Sequence, residues 1–128
     1  WSIWANVRSW WAIRDLPNVM FVHFAELKKD LPGQMKRIAE FLDVSIEESR
    51  WPTLTEHCSF DYMKAHAAMS APLGGMLWDG GAETFINKGT NGRWRDLLTA
   101  EDVRAYEDRA LKELGPACAH WLATGEMA

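Results

Sequence analysis

Apolar positions recur at helical spacing from the first residue. Trp1, Trp4, Val7 and Trp11 form one stripe over residues 1–14, with Ile3, Val7 and Trp10 beside it. Apolar over most of its circumference, this segment is expected to be a largely buried helix. Pro17-Asn18 interrupts the pattern, and Val19-Met20-Phe21-Val22-His23-Phe24 follows. A short, continuous apolar run of this kind suits a parallel strand covered on both faces. The next helix is expected near Pro32, with Leu31, Met35, Ile38 and Leu42 inward and Asp43-Val44 at its end. Ser45-Ile46-Glu47-Glu48 fits a capping box, in which a Ser hydroxyl and a Glu carboxylate satisfy free N–H groups reciprocally, ahead of a helix of about ten residues. Thr53-Leu54-Thr55-Glu56 offers a similar start for a short helix reaching Lys64. Residues 66–84 show no period and much glycine, and read as a flexible loop. Thr99-Ala100-Glu101-Asp102 caps the last long helix, with Val103, Tyr106, Ala110 and Leu114 inward and a stop at Gly115-Pro116. The tail over 122–128 is expected to fray.

The single strand in this pattern has a consequence. Alone, it leaves both rows of backbone hydrogen-bonding groups unpaired, which is costly when buried. Either it pairs with strands from elsewhere, or the chain is part of a larger α/β domain. A first residue that is Trp rather than Met fits a fragment or a cleaved product. The chain has 128 residues, 48% of them hydrophobic and 25% charged, which suits one globular domain with its own core. A net charge of −4 argues against general nucleic-acid binding, so an anion site must be a local basic patch. Cys58 and Cys118 are distant in sequence and fit free thiols in a reducing, cytoplasmic setting. No apolar run approaches the length of a membrane span.

The densest chemistry lies in Phe85-Ile86-Asn87-Lys88-Gly89-Thr90-Asn91-Gly92-Arg93-Trp94-Arg95. Glycines let backbone N–H groups approach a ligand and form an anion-binding nest, and Lys88 or Arg93 adds full charge. A cation about 4 Å from a phosphate gains roughly 1 kcal/mol in water and about 4 near a protein surface. The spacing alone also suits a solvated turn with scattered charges. Two more segments are candidates to join it: His23-Phe24-Ala25-Glu26-Leu27-Lys28 at the strand end, and His57-Cys58-Ser59-Phe60-Asp61-Tyr62-Met63-Lys64, where Phe60 and Met63 would flank a base. Phe24, Phe60 and Met63 equally suit ordinary packing. The four histidines share no metal-ligand spacing, and no Gly-Lys-Ser/Thr phosphate loop is present.

At these segments the chain resembles the cytosolic-type sulfotransferase family, which transfers sulfonate from 3′-phosphoadenosine 5′-phosphosulfate (PAPS). Val7-Arg8-Ser9-Trp10-Trp11 is similar to the family's His-Val-Lys-Ser-Trp-Trp, and Phe24-Ala25-Glu26-Leu27-Lys28-Lys29-Asp30 to its Tyr-Glu-Asp-Met-Lys-x-Asp. Cys58-Ser59-Phe60-Asp61-Tyr62-Met63-Lys64 is similar to its Thr-Ser-Phe-Asp-x-Met-Lys, and residues 85–95 to its Phe-x-Arg-Lys-Gly-x-x-Gly-Asp-Trp-Lys. The resemblance implies that Lys88 and the Gly89 amide hold the 3′-phosphate. It places Phe85, Phe60 and Met63 around the adenine, with Cys58 and Ser59 near its polar edge and Phe24 where the family has Tyr. Asn87 stands where the family has Arg, which removes a bidentate phosphate contact.

The implied fold is the C-terminal, mostly helical portion of a three-layer, P-loop-like parallel-sheet α/β domain spanning 1–128. The implied partners are the nucleotide co-substrate (PAPS, or PAP after transfer) and a small-molecule acceptor hydroxyl or amine, without a metal. The family's 5′-phosphosulfate loop and catalytic His have no counterpart here, so the chain alone is expected to bind nucleotide weakly or not at all and to be inactive. An N-terminal half on another chain would complete the site. The alternative is a non-catalytic remnant working as a helical partner-binding module through its Trp-rich first helix.

Overall fold

The computed structural model describes residues 2–127. Trp1 of the expected first stripe and Ala128 of the expected tail lie outside the described residues. The chain divides into two compact units, Trp1–Asp30 with Gly92–Ala128, and Leu31–Asn91.

In the first unit, α1 (Ile3–Trp11) packs on α8 (Ala100–Leu114). The Trp4 and Tyr106 rings meet at 5.5 Å. Arg8 Nη1 donates to the Glu113 carbonyl at 3.1 Å and to its carboxylate at 3.0 Å. The same carboxylate accepts Arg109 Nη2 at 2.6 Å. Ala110, Leu114 and Cys118 are buried beneath. The expectation of a largely buried α1 is not met: none of its residues is buried, and Ile3 and Trp10 remain 66% and 53% exposed. α8 covers one stripe of the helix, and among the described residues only Trp11 at its end meets the further rings of Phe21 and Trp121.

The expected strand is also absent. Residues 19–23 run without regular structure, α2 (Phe24–Lys29) begins inside the apolar run, and no strand occurs among the described residues. A ladder needs a second strand, and the run packs through its side chains instead. Phe21 lies 6.0 Å from Trp11 and 5.0 Å from Trp121, whose rings are themselves 5.7 Å apart. His23 keeps extended backbone and caps α2: its Nδ1 accepts the Ala25 N–H at 3.3 Å. With Nδ1 as acceptor, Nε2–H donates to the Leu122 carbonyl at 3.1 Å, tying α2 to α9 (Pro116–Thr124). That last helix carries the chain through Thr124, so the first residues of the expected frayed tail are helical.

In the second unit, α3 (Leu31–Phe41) ends where expected, at Asp43 in the left-handed region (φ 53), with Val44 N–H bonded to the Ala39 carbonyl at 2.9 Å. This is a Schellman stop on a residue type that tolerates positive φ. Leu42, expected inward, is 60% exposed. The capping box at Ser45–Glu48 does not form. Glu48 opens a 3-10 turn (Glu48–Arg50) without a side-chain cap, and that turn runs into α4 (Trp51–His57). The Glu48 carboxylate pairs instead with Lys36 Nζ at 3.1 Å, above the Trp51 ring. Thr53–Glu56 therefore lies inside α4, and the true break is Cys58-Ser59. The Ser59 hydroxyl accepts the Tyr62 N–H at 3.1 Å and starts α5 (Phe60–Ala65).

Residues 66–84, read as loop, hold short helical turns: α6 (Ala67–Ser70), a 3-10 turn (Pro72–Gly75) and the start of α7 (Ala82–Phe85). Turns of this length cannot display a sequence period. Ala67, Ala71 and Gly75 are buried at their centre. Gly75 has φ +85 and lies so close to Ala82 that a Cβ would overlap its backbone.

The α8 capping box forms as the sequence predicts: Asp102 N–H donates to Thr99 Oγ1 at 3.2 Å, and Thr99 N–H donates to Asp102 Oδ2 at 2.9 Å. Thr99→Ala is expected to cost about 1 kcal/mol, read as a lower denaturation midpoint with unchanged slope. Hydrogen bonds from the Thr99 hydroxyl and backbone hold the Asp102 carboxyl below its ordinary value. A lowered folded pKa gives stability that is complete above the unfolded value and lost as pH falls through the folded one. Amide-exchange protection in the first turn of α8 is therefore expected to fall below about pH 4, and the Asp102→Asn variant to lose that pH dependence.

Candidate nucleotide-binding site

The eight expected site residues other than Phe24 lie on three pieces of Leu31–Asn91: the Cys58-Ser59 break, α5, and the stretch from Phe85 to Gly89. The Ser59 cap fixes the first turn of α5, and so the position of Phe60. Gly89, at φ +59, lies directly against the Phe60 ring. A Cβ built there would stand 2.8 Å from Phe60 Cγ and closer still to the ring edge. One turn further along α5, Lys64 Nζ donates to the Asn87 carbonyl at 2.9 Å, across 23 positions of sequence. Lys64 Nζ is also 5.8 Å from the centre of the Phe60 ring. The neighbouring Ile86 is buried. The chain is thus held on both sides of Lys88, and Lys88 itself is exposed, with no ion pair among the described residues.

Around this point Phe85 closes α7, 45% exposed, with its inner face 4.4 Å from Trp78. Met63 and Ser59 are half-buried, and Cys58 and Asn87 are exposed. The arrangement offers the exposed Lys88 beside a glycine turn and an aromatic ring with solvent on one side. These are the parts that binding a phosphate next to a planar base requires. Trp78 and Lys64 carry this geometry and were not expected to. The i, i+4 spacing of Phe60 and Lys64 was a visible signal for the second, whereas nothing in the aperiodic 66–84 stretch marked Trp78 as the backing of Phe85.

Phe24 belongs to the other unit, where it opens α2 and is 62% exposed. His57 stacks on Tyr62 at 4.4 Å and Ser59 Oγ is taken up as a cap, so His57, Cys58 and Ser59 form no nucleophile-base arrangement. Burial pushes the Cys118 thiol above its ordinary value, away from reactivity. Among the described residues no three His, Cys, Asp or Glu side chains gather as a metal site, and no helix is long and apolar enough to cross a membrane. A groove of about 410 Å³ lined by Trp94, Leu98, Val103, Tyr106 and Leu122 contains none of the expected site residues.

A family model described as "Sulfotransferase domain" matches residues 2–115. Curated relatives include cytosolic sulfotransferase 12 of Arabidopsis thaliana, 39% identical over 107 residues, covering 81% of this chain and 32% of the relative. Luciferin sulfotransferase of Photinus pyralis is 29% identical over 120 residues, covering 88% of this chain and 32% of the relative. Glycolipid sulfotransferase of Mycobacterium bovis is 32% identical over 108 residues, covering 83% and 32%. The chain spans about a third of the length of these relatives. Among solved structures, mouse sulfotransferase SULT7A1 complexed with PAP matches with a TM-score of 0.75 at 22% identity, over 96% of this chain and 46% of that one. That likeness is one of fold. The match over residues 2–115 is decisive for kinship: the chain belongs to the sulfotransferase domain family.

Proposed function

We propose that the chain forms the 3′-phosphoadenosine part of a PAPS site, for sulfonate transfer to an acceptor hydroxyl or amine in the cytoplasm. One observation carries this reading: the two motif segments, 58–64 and 85–89, meet at Phe60 and Gly89 and again at Lys64 and Asn87. Lys88 and the Gly89 amide take the 3′-phosphate, which distinguishes this nucleotide from ATP. Phe85, Phe60 and Met63 pack around the adenine, and Cys58 and Ser59 lie at its polar edge. Asn87 offers phosphate no charge, so more of the attraction falls on Lys88. The exposed Leu73, Met76 and Leu77 support an acceptor with an apolar body. The groups that meet the sulfonate and activate the acceptor come from residues outside these 128.

A second reading, a non-catalytic helical module, is favoured by the exposed Ile3 and Trp10 on α1. Native mass spectrometry separates the two: a companion polypeptide carrying the sulfonate-side half supports an enzyme completed in trans, and an unrelated partner supports the module.

Titration of the 128-residue chain with 3′-phosphoadenosine 5′-phosphate is expected to show weak binding, and Lys88→Ala to weaken it at least about tenfold, or about 1.4 kcal/mol. Equal binding by wild type and variant would remove the site reading. Gly89→Ala is expected to cost about 1–2 kcal/mol from the left-handed backbone alone, measurable by denaturation, and to abolish nucleotide binding by displacing the Phe60 ring. The purified chain is expected to transfer no sulfonate to a phenol or an aliphatic alcohol, assayed by release of 3′-phosphoadenosine 5′-phosphate.

A further inference from the structure

Lys64 has no carboxylate partner among the described ion pairs. Its ammonium sits on a neutral acceptor, the Asn87 carbonyl, at 2.9 Å, although the chain as a whole is acidic and the neighbouring Asp61 lies on the same short helix. A lysine spent on solvent alone has no reason to reach 23 positions along the chain. The carbonyl it holds belongs to the peptide unit whose N–H is that of Lys88. Fixing Asn87 from one side, with Gly89 seated on Phe60 from the other, restricts the backbone around Lys88 before any ligand arrives. A flexible turn must be ordered at the moment of binding, and that ordering costs affinity; a held turn does not incur it. The uncompensated positive charge adds to that of Lys88, in a unit position where the Asn87 side chain contributes none.

We propose that Lys64 is a positioning residue for phosphate recognition: through the Asn87 carbonyl it holds the turn that presents Lys88 and the Gly89 amide. This rests on the reading of the site as one for a 3′-phosphorylated adenine nucleotide. Lys64→Arg keeps the charge and a donor of similar reach, whereas Lys64→Met keeps the length and removes both.

The test follows wild type, Lys64→Met and Lys64→Arg by heteronuclear NMR, titrating each with 3′-phosphoadenosine 5′-phosphate and with adenosine 5′-phosphate to millimolar concentration. In the unliganded chain, the Asn87 carbonyl carbon and Lys88 amide nitrogen resonances are expected to shift in Lys64→Met and to stay in place in Lys64→Arg. The wild-type preference for the 3′-phosphorylated nucleotide is expected to fall at least about tenfold in Lys64→Met and to be retained in Lys64→Arg. Affinity for adenosine 5′-phosphate is expected to stay unchanged in both variants, a split that general destabilisation of α5 would not produce. Asn87 resonances unmoved by Lys64→Met overturn the proposal, and so does a preserved preference despite moved resonances. A wild-type chain that does not discriminate between the nucleotides overturns the site reading, and this proposal with it. Loss of preference in Lys64→Met alone, with wild type discriminating, supports both.

Discussion

A glycine in the left-handed region rests on the Phe60 ring, and the arrangement of Leu31–Asn91 is organised around that contact. No side chain larger than hydrogen fits at Gly89, so the backbone itself forms the seam between α5 and the turn after α7. The contact holds only while α5 starts at Phe60, and the Ser59 hydroxyl fixes that start by accepting the Tyr62 N–H. A conformational constraint at one residue, a cap at another and a steric fit between them place an exposed lysine at a defined point. Short helical turns over 66–84 support the same geometry from behind, where Trp78 backs Phe85 and Ile86 is buried.

The other unit is held by different means. Trp11, Phe21 and Trp121 form an aromatic cluster, and Glu113 joins Arg8 to Arg109. Both ion pairs are partly exposed and contribute modestly, on the order of 1 kcal/mol or less each. Ring contacts and apolar burial contribute more. Even so, α1 keeps an apolar face in solvent, and the run at 19–22 has no ladder. Both features share one cause: these elements have apolar or hydrogen-bonding surface on more sides than their neighbours in this unit cover.

Much of this was legible from local signals. The α8 capping box needs only Thr99 and Asp102, and the α3 stop needs only residues that tolerate positive φ near 43, so both were predictable. The candidate site residues stand in motifs whose order and composition resemble those of a known family, and all but Phe24 fall within one unit. Elements whose form depends on distant partners were misread. Ser45–Glu48 had the composition of a box, but Lys36 took the Glu48 carboxylate. Val19–Phe24 had the composition of a strand, but a strand requires a second one. The 66–84 stretch read as loop because four-residue turns are shorter than the period that reveals a helix.

What the sequence determined by itself was the inventory of the candidate site, a cation beside a glycine turn and the apolar pair Phe60 and Met63 at helical spacing, because residue type and local spacing suffice for that. What only the tertiary structure decided was their assembly. Gly89 seated on Phe60, Lys64 reaching Asn87 and Trp78 backing Phe85 are contacts between segments far apart along the chain. Their existence depends on loop closure and excluded volume, which no local pattern encodes.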